Sequence, residues 1–269
     1  MKIEAGQVAV VTGGASGIGL GLCHEFGRRG MSVVVADIEA SALGRAVAEL
    51  GEGGVDALGL ECDVTSMDSM SSLADQAFAW KGHVNIVCNN AGVVAFGDGL
   101  ASLEDWKWVI DVDMWGVVHG MLAFGPRMRD SEEPGHFVNT ASTAGILGFP
   151  GIASYVAAKH AVVGMTQSFW HEFRPTALSA SVLCPGVVST NINRSERNRP
   201  GVEPGSVELA EFGADHTETM TPTQVAVIVA DAVEADQFWI LPHEHYGEQA
   251  LAVAQGRIDK QPPVMPRTN

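Results

Sequence analysis

Short apolar runs rich in valine alternate with longer segments of helical period along this chain, and this alternation constrains the fold more than any other feature. The runs are Val8–Thr12, Ser32–Ala36, Ala57–Cys62, Val84–Cys88, Phe137–Thr140, Ala180–Cys184 and Phe238–Leu241. Segments of helical period separate the early runs: Ile18–Arg29, Ala40–Leu50 and Ser66–Trp80. Runs that are apolar on both faces are typical of parallel strands covered by helices on each side. The pattern predicts an α/β fold with seven strands in one doubly wound parallel sheet.

The length of the chain and its polar segments predict a single domain with two appendages. A chain of 269 residues can bury a full hydrophobic core without disulfide bonds. We expect one domain over residues 1–258, followed by a proline-containing tail at 259–269. The polar segment Asn191–Thr219 follows a predicted strand, a position typical of loops that cover a binding site. We therefore expect a lid at about residues 191–219.

The charge of the chain excludes some classes of partner. Acidic residues outnumber basic residues by 32 to 16, and the net charge is −16. A surface this negative repels phosphate backbones and anionic lipid headgroups, so we expect neither a nucleic acid nor a membrane as partner. The N-terminal sequence MKIEAGQVAVVTGG reaches glycines after a short apolar run. It predicts neither a signal peptide nor a membrane span, and we expect a cytoplasmic protein.

The cysteines and histidines give little indication of a disulfide or a metal site. Cys23, Cys62, Cys88 and Cys184 lie far apart without a CxxC pair. Such cysteines are typically small buried hydrophobes. The sequence His243-Glu244-His245 has two ligand-type imidazoles but no third ligand nearby, so we predict no metal site.

A glycine-rich turn follows the first predicted strand and precedes a helical segment. It reads Thr12-Gly13-Gly14-Ala15-Ser16-Gly17-Ile18-Gly19. Glycines at such a turn let the backbone approach a pyrophosphate, and the free amides of the helix N-terminus attract its charge. The spacing G-x-x-x-G-x-G differs from the standard G-x-G-x-x-G fingerprint, and a tight turn with close helix packing is the alternative. Its place in the first βαβ unit favours a dinucleotide site.

The second predicted strand ends at an acidic residue, in Val33-Val34-Val35-Ala36-Asp37. A carboxylate there can accept hydrogen bonds from the adenosine ribose hydroxyls and would repel a 2′-phosphate. Neither Ser16, before the second glycine, nor Ile38 provides a cation for that phosphate. The pattern favours NAD over NADP, with a solvated turn or a helix cap as the alternative for Asp37.

Tyr155 and Lys159 lie four residues apart in a segment of helical character, so both project from one face. A phenol with a pKa near 10 is a weak acid–base catalyst at neutral pH. A lysine ammonium one turn away stabilises the phenolate and lowers that pKa. The pair alone is also compatible with two exposed helix residues.

Taken together, the motifs resemble those of the short-chain dehydrogenase/reductases. The motifs that carry the resemblance are TGGASGIG, Asp37, Asp63-Val64, Asn89-Asn90-Ala91-Gly92, Ser142, Tyr155-Val-Ala-Ala-Lys159, and Pro185-Gly186 through Thr190. They occur in the order and approximate spacing of that family, from residue 7 to about residue 241. The resemblance implies a Rossmann-type fold and an NAD(P)-dependent oxidoreductase of the short subfamily. It also implies a homotetramer in which long helices pair between subunits, and the helical stretches Leu103–Arg129 and Ile152–Arg174 are long enough for this.

The resemblance also implies roles for individual residues. Tyr155 would be the general acid–base, Ser142 would hydrogen-bond the substrate oxygen, and Lys159 would lower the tyrosine pKa and hold the nicotinamide ribose. The implied cofactor-binding residues are Gly13, Ser16, Gly17, Ile18, Gly19, Asp37, Asp63, Val64, Asn90, Tyr155, Lys159, Val188 and Thr190. Of these, Asp63 and Val64 would border the adenine, while Val188 and Thr190 would contact the carboxamide.

One position departs from the family pattern. Where the family usually has an asparagine, this chain has Asp113, in Val112-Asp113-Met114-Trp115-Gly116. In the family the backbone carbonyl of that residue helps to hold a water that links the lysine to solvent. Replacing asparagine by aspartate leaves this carbonyl in place. A carboxylate nearby would raise the lysine pKa. Asp113 is therefore a fourth catalytic candidate, with a residue that caps or packs locally as the alternative.

The residues expected near the nicotinamide are mostly apolar and indicate the substrate class. They are Val94, Phe96, Ile146, Leu147, Phe149, Val187 and Ile192, which would serve equally as core. We expect a hydrophobic secondary alcohol or ketone, cyclic or steroid-like. The arginines of Asn191–Thr219 would instead suit an anionic tail on the substrate.

Other functions fit the sequence less well. A hydrolase is disfavoured because Ser142 lies in Ala-Ser-Thr and no G-x-S-x-G elbow occurs. A reductase that uses NADPH is disfavoured by Asp37. The alternative from another class is a catalytically weak NAD(H)-binding sensor or scaffold, which Asp113 alone favours.

Overall fold

The computed structural model describes residues 1–97, 100, 102–201 and 219–266, and these contain one parallel sheet. The strands are β1 (Val8–Thr12), β2 (Ser32–Asp37), β3 (Ala57–Glu61), β4 (Ile86–Asn89), β5 (Gly135–Thr140), β6 (Leu178–Leu183) and β7 (Trp239–Ile240). Their order is β3-β2-β1-β4-β5-β6-β7, with every neighbouring pair parallel. The predicted seven-stranded, doubly wound α/β sheet is confirmed.

Helices cover both faces of the sheet. They are α1 (Gly17–Arg28), α2 (Ala40–Glu52), α3 (Met67–Lys81), α4 (Leu103–Ile110), α5 (Gly116–Asp130), α6 (Ala153–Phe173), α7 (Pro222–Glu234) and α8 (His245–Ile258). Along β1, Val8 and Val10 pack into the core formed with α3, α5 and α6, whereas Ala9 and Val11 pack into the core formed with α1, α2 and α7. This alternation follows from the two-residue period of a strand, and it explains why the run is apolar at every position.

Two segments differ from the sequence prediction. The helical stretch predicted over Leu103–Arg129 is interrupted by a π-helical turn at Asp111–Trp115, between α4 and α5. Helix α8 was not predicted, because it carries a single buried residue, Tyr246, and so lacks an apolar stripe. All four cysteines are buried and unpaired, as predicted.

The segments predicted as lid and tail are only partly described. Asn191 precedes a short 3₁₀ helix at Ile192–Asn198, while residues 202–218 lie outside the described residues. The tail begins after α8, and its residues 267–269 also lie outside them. Within the described ranges, no helix has the length and apolar character needed to cross a bilayer.

The strand order places the switch point of the sheet between β1 and β4. Chain connections leave β1 towards β2 on one side and β4 towards β5 on the other, so a crevice opens at the carboxyl ends of these strands. The glycine turn follows β1, and Asn90 follows β4. The fold therefore brings the two motifs to the same crevice.

A buried histidine lies near the start of β5, away from that crevice, and its side chain contacts β6. His136 is fully buried, and its Nε2 lies 2.7 Å from Ser181 Oγ. Because Ser181 Oγ donates to the Gln237 carbonyl at 2.6 Å, Nε2 is the ring nitrogen that donates. Burial lowers the pKa of His136 from 6.5 to about 4, so the imidazole is neutral in the folded protein at neutral pH.

We expect His136→Phe to reduce the loss of stability in acid. The unfolded chain binds a proton at His136 near pH 6.5 and the folded chain only near pH 4, so stability is lost as the pH falls through that window. The difference amounts to about 3 kcal/mol in the free energy of unfolding. Urea unfolding at a series of pH values measures it, with His171→Phe on an exposed helix position as the matched control. If the free energy of unfolding falls with pH to the same extent in the wild type and in His136→Phe, His136 does not cause the loss of stability in acid.

Candidate active site

A cleft of about 320 Å³ lies at the carboxyl ends of the strands and collects most of the predicted site residues. The predicted residues that line it are Gly13, Ser16, Gly17, Ile18, Asp37, Asp63, Val64, Asn90, Ser142, Tyr155, Lys159, Val188 and Thr190. Gly19 and Asp113 are not among the lining residues. Gly19 packs beneath the glycine turn, and Asp113 is buried behind Lys159.

The turn between β1 and α1 needs its glycines for two different reasons. Gly13 and Gly17 have φ values of +62° and +53°, a region that residues with a side chain rarely adopt. A Cβ at Gly19 would collide with the carbonyl oxygen of Gly13. A Cβ at Gly17 would lie 3.1 Å from Thr190 Cγ2, because Thr190 packs directly on the turn. The turn thus forms a tight backbone cradle at the N-terminus of α1, which fits a bound pyrophosphate.

The carboxylate of Asp37 is held in a fixed orientation at the other end of this cradle. Its Oδ2 accepts a hydrogen bond from Ala15 N at 3.0 Å, and its Oδ1 accepts one from Glu39 N at 3.0 Å. The residue is 8% exposed and lines the cleft. Asp37 therefore presents an oriented acceptor to the cleft, in addition to connecting the glycine turn with the end of β2.

Thr12 and Asn90 connect the two strands at the switch point. Thr12 Oγ1 accepts hydrogen bonds from Asn90 N at 3.0 Å and from Ala91 N at 3.2 Å. The Asn90 side chain donates to the Thr12 carbonyl at 3.1 Å. The sequence analysis did not identify Thr12, although its place at the end of β1 beside the glycine turn was a usable signal. These bonds fix the floor of the cleft.

The three predicted catalytic side chains converge on the opposite end of the cleft. Ser142 follows β5 and accepts a hydrogen bond from Ala144 N at 3.1 Å, which fixes its hydroxyl at the start of a 3₁₀ turn. Tyr155 and Lys159 lie one turn apart on α6, and Lys159 Nζ is 5.3 Å from the centre of the tyrosine ring. Ser142 also acts on the phenol of Tyr155, whose pKa it lowers against the larger effect of burial.

Lys159 forms an ion pair with Asp113 in the interior. Its Nζ lies 3.1 Å from Asp113 Oδ2 and donates to the Thr140 carbonyl at 3.1 Å. The side chains of Lys159 and Asp113 are 2% and 0% exposed. Asp113 Oδ1 accepts from Val93 N at 2.8 Å. The π-helical turn carries Asp113, so the irregularity in the helix places a carboxylate against the lysine.

Burial and charge act against each other on the lysine and the tyrosine. Burial lowers the pKa of Lys159, but the Asp113 carboxylate, together with the Tyr155 phenol and Cys184, outweighs it and raises the lysine pKa above its ordinary value. Burial raises the pKa of the Tyr155 phenol and Asp113 adds to that effect, while Lys159 and Ser142 oppose it. The net pKa of Tyr155 lies above 10.0. As predicted, Lys159 lowers the pKa of the Tyr155 phenol, but burial raises that pKa by more.

The walls beside Tyr155 are apolar. Five of the seven residues predicted for a substrate pocket line the cleft: Val94, Phe96, Phe149, Val187 and Ile192. The prediction was wrong for the other two, because Leu147 is 1% exposed in the interior and Ile146 packs on the core beneath α6. Trp108, Val112 and Tyr246, which had not been assigned to the pocket, also line it.

The segment after β6 attaches to both ends of the cleft. Ser195 Oγ accepts from Val94 N at 2.9 Å and donates to the Val94 carbonyl at 3.2 Å. Arg197 pairs with Glu39 at 2.6 Å, beyond the end of β2. Neither contact was predictable from the sequence. Ser195 lies about 100 positions from Val94 and Arg197 lies 158 positions from Glu39, so no local pattern joins them.

Comparisons with known proteins agree with this geometry. The family model of the short chain dehydrogenases matches residues 7–201. The 1-deoxy-11-beta-hydroxypentalenate dehydrogenase of Streptomyces avermitilis is 38% identical over 237 residues, which cover 87% of this chain and 83% of that protein. The 3beta-hydroxysteroid dehydrogenase 2 of Eggerthella lenta is 32% identical, over 85% of this chain and 88% of its own.

A solved structure matches the whole chain. It is a short-chain dehydrogenase/reductase from Burkholderia phymatum in complex with NAD. Its TM-score is 0.93 at 33% identity, and the match covers 100% of both chains. With the sheet order, the glycine turn and the Ser142, Tyr155 and Lys159 arrangement already described, these matches establish that the chain is an oxidoreductase of the short-chain dehydrogenase family.

Proposed function

We propose that this protein is an NAD-dependent dehydrogenase that interconverts a hydrophobic secondary alcohol and its ketone, with Tyr155 as the general acid–base. The observation that carries the proposal is the convergence of Ser142, Tyr155 and Lys159 on the apolar end of a cleft. The other end of that cleft is formed by the glycine turn and Asp37. One cleft thus offers a dinucleotide site and a proton-transfer site side by side.

Each of the three polar side chains has a distinct part in the proposed reaction. In alcohol oxidation, the Tyr155 phenolate takes the proton from the substrate hydroxyl. Ser142, held by Ala144 N, hydrogen-bonds the same oxygen and stabilises its developing charge. Lys159 stabilises the phenolate by its charge. The cofactor, when bound, would supply the acceptor for the hydride.

The nucleotide preference follows from Asp37. Two backbone amides hold its carboxylate at the edge of the cleft, where it can accept hydrogen bonds from a ribose diol. A 2′-phosphate at the same place would meet a fixed negative charge, so we propose NAD as the cofactor. The similar protein from Burkholderia phymatum was solved with NAD, which supports NAD as a ligand of this fold, while the preference over NADP rests on Asp37.

The substrate class follows from the apolar wall near Tyr155. Apolar side chains stabilise a ligand in proportion to the apolar area that they bury, at about 25 cal/mol per Å². Two similar proteins are named for a hydroxypentalenate and a hydroxysteroid. We therefore propose a cyclic hydrophobic alcohol, with the segment Ile192–Asn198 as part of the cover over the cleft.

The test is turnover followed by NADH absorbance, with NAD or NADP and a panel of secondary alcohols. We expect turnover with NAD, faster for hydrophobic cyclic alcohols than for small polar ones. Turnover only with small polar alcohols would contradict the substrate class, and a preference for NADP would contradict the role of Asp37. Tight NADH binding without turnover in either direction would instead indicate a dinucleotide-binding sensor or scaffold, to which the buried Asp113 would then contribute.

A further inference from the structure

A cluster of polar side chains closes the ribose end of the cleft, beyond Asp37. Arg197 Nη2 lies 2.6 Å from Glu39 Oε1, and Asn198 Nδ2 donates to the same oxygen at 3.0 Å. The side chains of Arg197 and Glu39 are 31% and 30% exposed, so the pair is half-buried. The contact connects the short helix after β6 with the turn after β2.

Arg197 does not depend on Glu39 for its position. Its Nη1 donates to the Arg194 carbonyl at 2.8 Å and to the Asn191 carbonyl at 3.2 Å, both in its own segment. These two acceptors orient the guanidinium and leave Nη2 directed at Glu39. A substitution that removes the Glu39 charge would therefore leave a positioned cation without a countercharge beside it.

This cation lies beside the place proposed for the ribose hydroxyls. Glu39 N donates to Asp37 Oδ1, and Asp37, Glu39 and Arg197 all line the cleft. The other cation among the described lining residues is Lys159, which is buried against Asp113 at the catalytic end. Burial works against ionisation of Glu39, but hydrogen bonds from Arg197 and Asn198 outweigh it and lower its pKa, so the pair is charged at neutral pH.

We propose that Glu39 is a second determinant of nucleotide specificity, which occupies Arg197 and so conceals a potential 2′-phosphate site. The inference rests on the proposed function, because it requires the adenosine ribose at this end of the cleft. An arginine suits a phosphate dianion by charge and by its parallel N–H donors. In the wild type Nη2 serves Glu39 and Nη1 serves two backbone carbonyls, so NADP meets two carboxylates and no available cation.

Isothermal titration with NAD and with NADP measures the effect without requiring turnover. We expect Glu39→Gln to lower the Kd for NADP relative to that for NAD by about tenfold, because one charge-assisted contact replaces a repulsion. Glu39→Gln/Arg197→Gln should lose that gain. Glu52→Gln, at an exposed position on the last turn of α2, makes the same change in net charge and should leave the ratio of the two Kd values unchanged.

The possible outcomes distinguish a failure of this inference from a failure of the proposed function. If the double variant binds NADP as well as Glu39→Gln does, Glu39 acts by repulsion alone and the role of Arg197 is wrong. If Glu39→Gln binds NAD normally without any gain for NADP, the inference is wrong while the proposed function stands. If the wild type binds neither dinucleotide, the proposed function fails and the inference falls with it.

Discussion

Tyr155→Phe is expected to lower kcat by about 10²- to 10⁴-fold, the usual contribution of a general acid–base. The substitution removes only the hydroxyl that we propose exchanges the proton. The ring packs against two apolar clusters, one that contains Trp108 and Ala158 and one that contains Val94 and Ile152, and phenylalanine keeps that packing. Folding and NADH binding should therefore persist. Initial rates with the best alcohol of the panel, together with NADH titration of the same preparation, separate catalysis from binding.

The chain provides a matched control for this substitution. It has two tyrosines, and the second, Tyr246, also borders the cleft, at 4% exposure. Tyr246→Phe removes the same group from a similar setting, and we expect a much smaller loss. Comparable losses in the two variants, or a Tyr155→Phe protein that keeps a tenth or more of the activity, would show that another group transfers the proton.

Asp113→Asn is expected to move the acid limb of the pH–rate profile for alcohol oxidation to lower pH. In the proposed mechanism oxidation needs the Tyr155 phenolate, so we expect its rate to be lost as the pH falls through the tyrosine pKa. The Asp113 carboxylate raises that pKa, and its removal lowers it. The limb therefore shifts towards neutral pH, and the alkaline limb of ketone reduction, which needs the phenol, shifts the same way. Profiles of kcat/KM against pH in both directions measure the change.

The same substitution should also destabilise the fold. It leaves the Lys159 ammonium buried with its hydrogen bond to the Thr140 carbonyl but without its countercharge, and breaking a buried pair on one side costs about 3–5 kcal/mol. Asp113→Leu/Lys159→Met removes both charges, so we expect it to regain most of that stability while remaining inactive. An unshifted pH profile in Asp113→Asn would show that the carboxylate has only a structural role.

The fold was predictable where the local pattern matches the packing. The run Val8–Thr12 is buried at all five positions, and the structure has a strand with those same bounds. The run predicted as Phe238–Leu241 shrinks to Trp239–Ile240, because this edge strand pairs with β6 through two residues only. The π-helical turn was not predictable, since its sequence continues the helical period of the segments around it.

The candidate site was predictable as a set of residues but less so in its electrostatics. Tyr155 and Lys159 project from one helix face, as their spacing predicts. The pKa of Tyr155 depends on burial, which no spacing reveals, and burial turns out to be the largest effect. The pairing of Arg197 with Glu39 depends on the path of the chain after β6, and motifs near each residue carry no information about it.

The π-helical turn at Asp111–Trp115 also lets the chain hold one additional residue without turning the helices on either side of it. A π turn holds one residue more than an α turn, so it acts as a single-residue insertion within a helix. In a regular helix the additional residue would rotate α4 by about 100° against α5. Trp108 and Val109, now buried, would then turn away from the core. The wider turn absorbs the residue, so deleting one codon there should restore a regular helix and keep the packing of α4 and α5. The deletion should instead impair the site, because the same turn places Asp113 against Lys159.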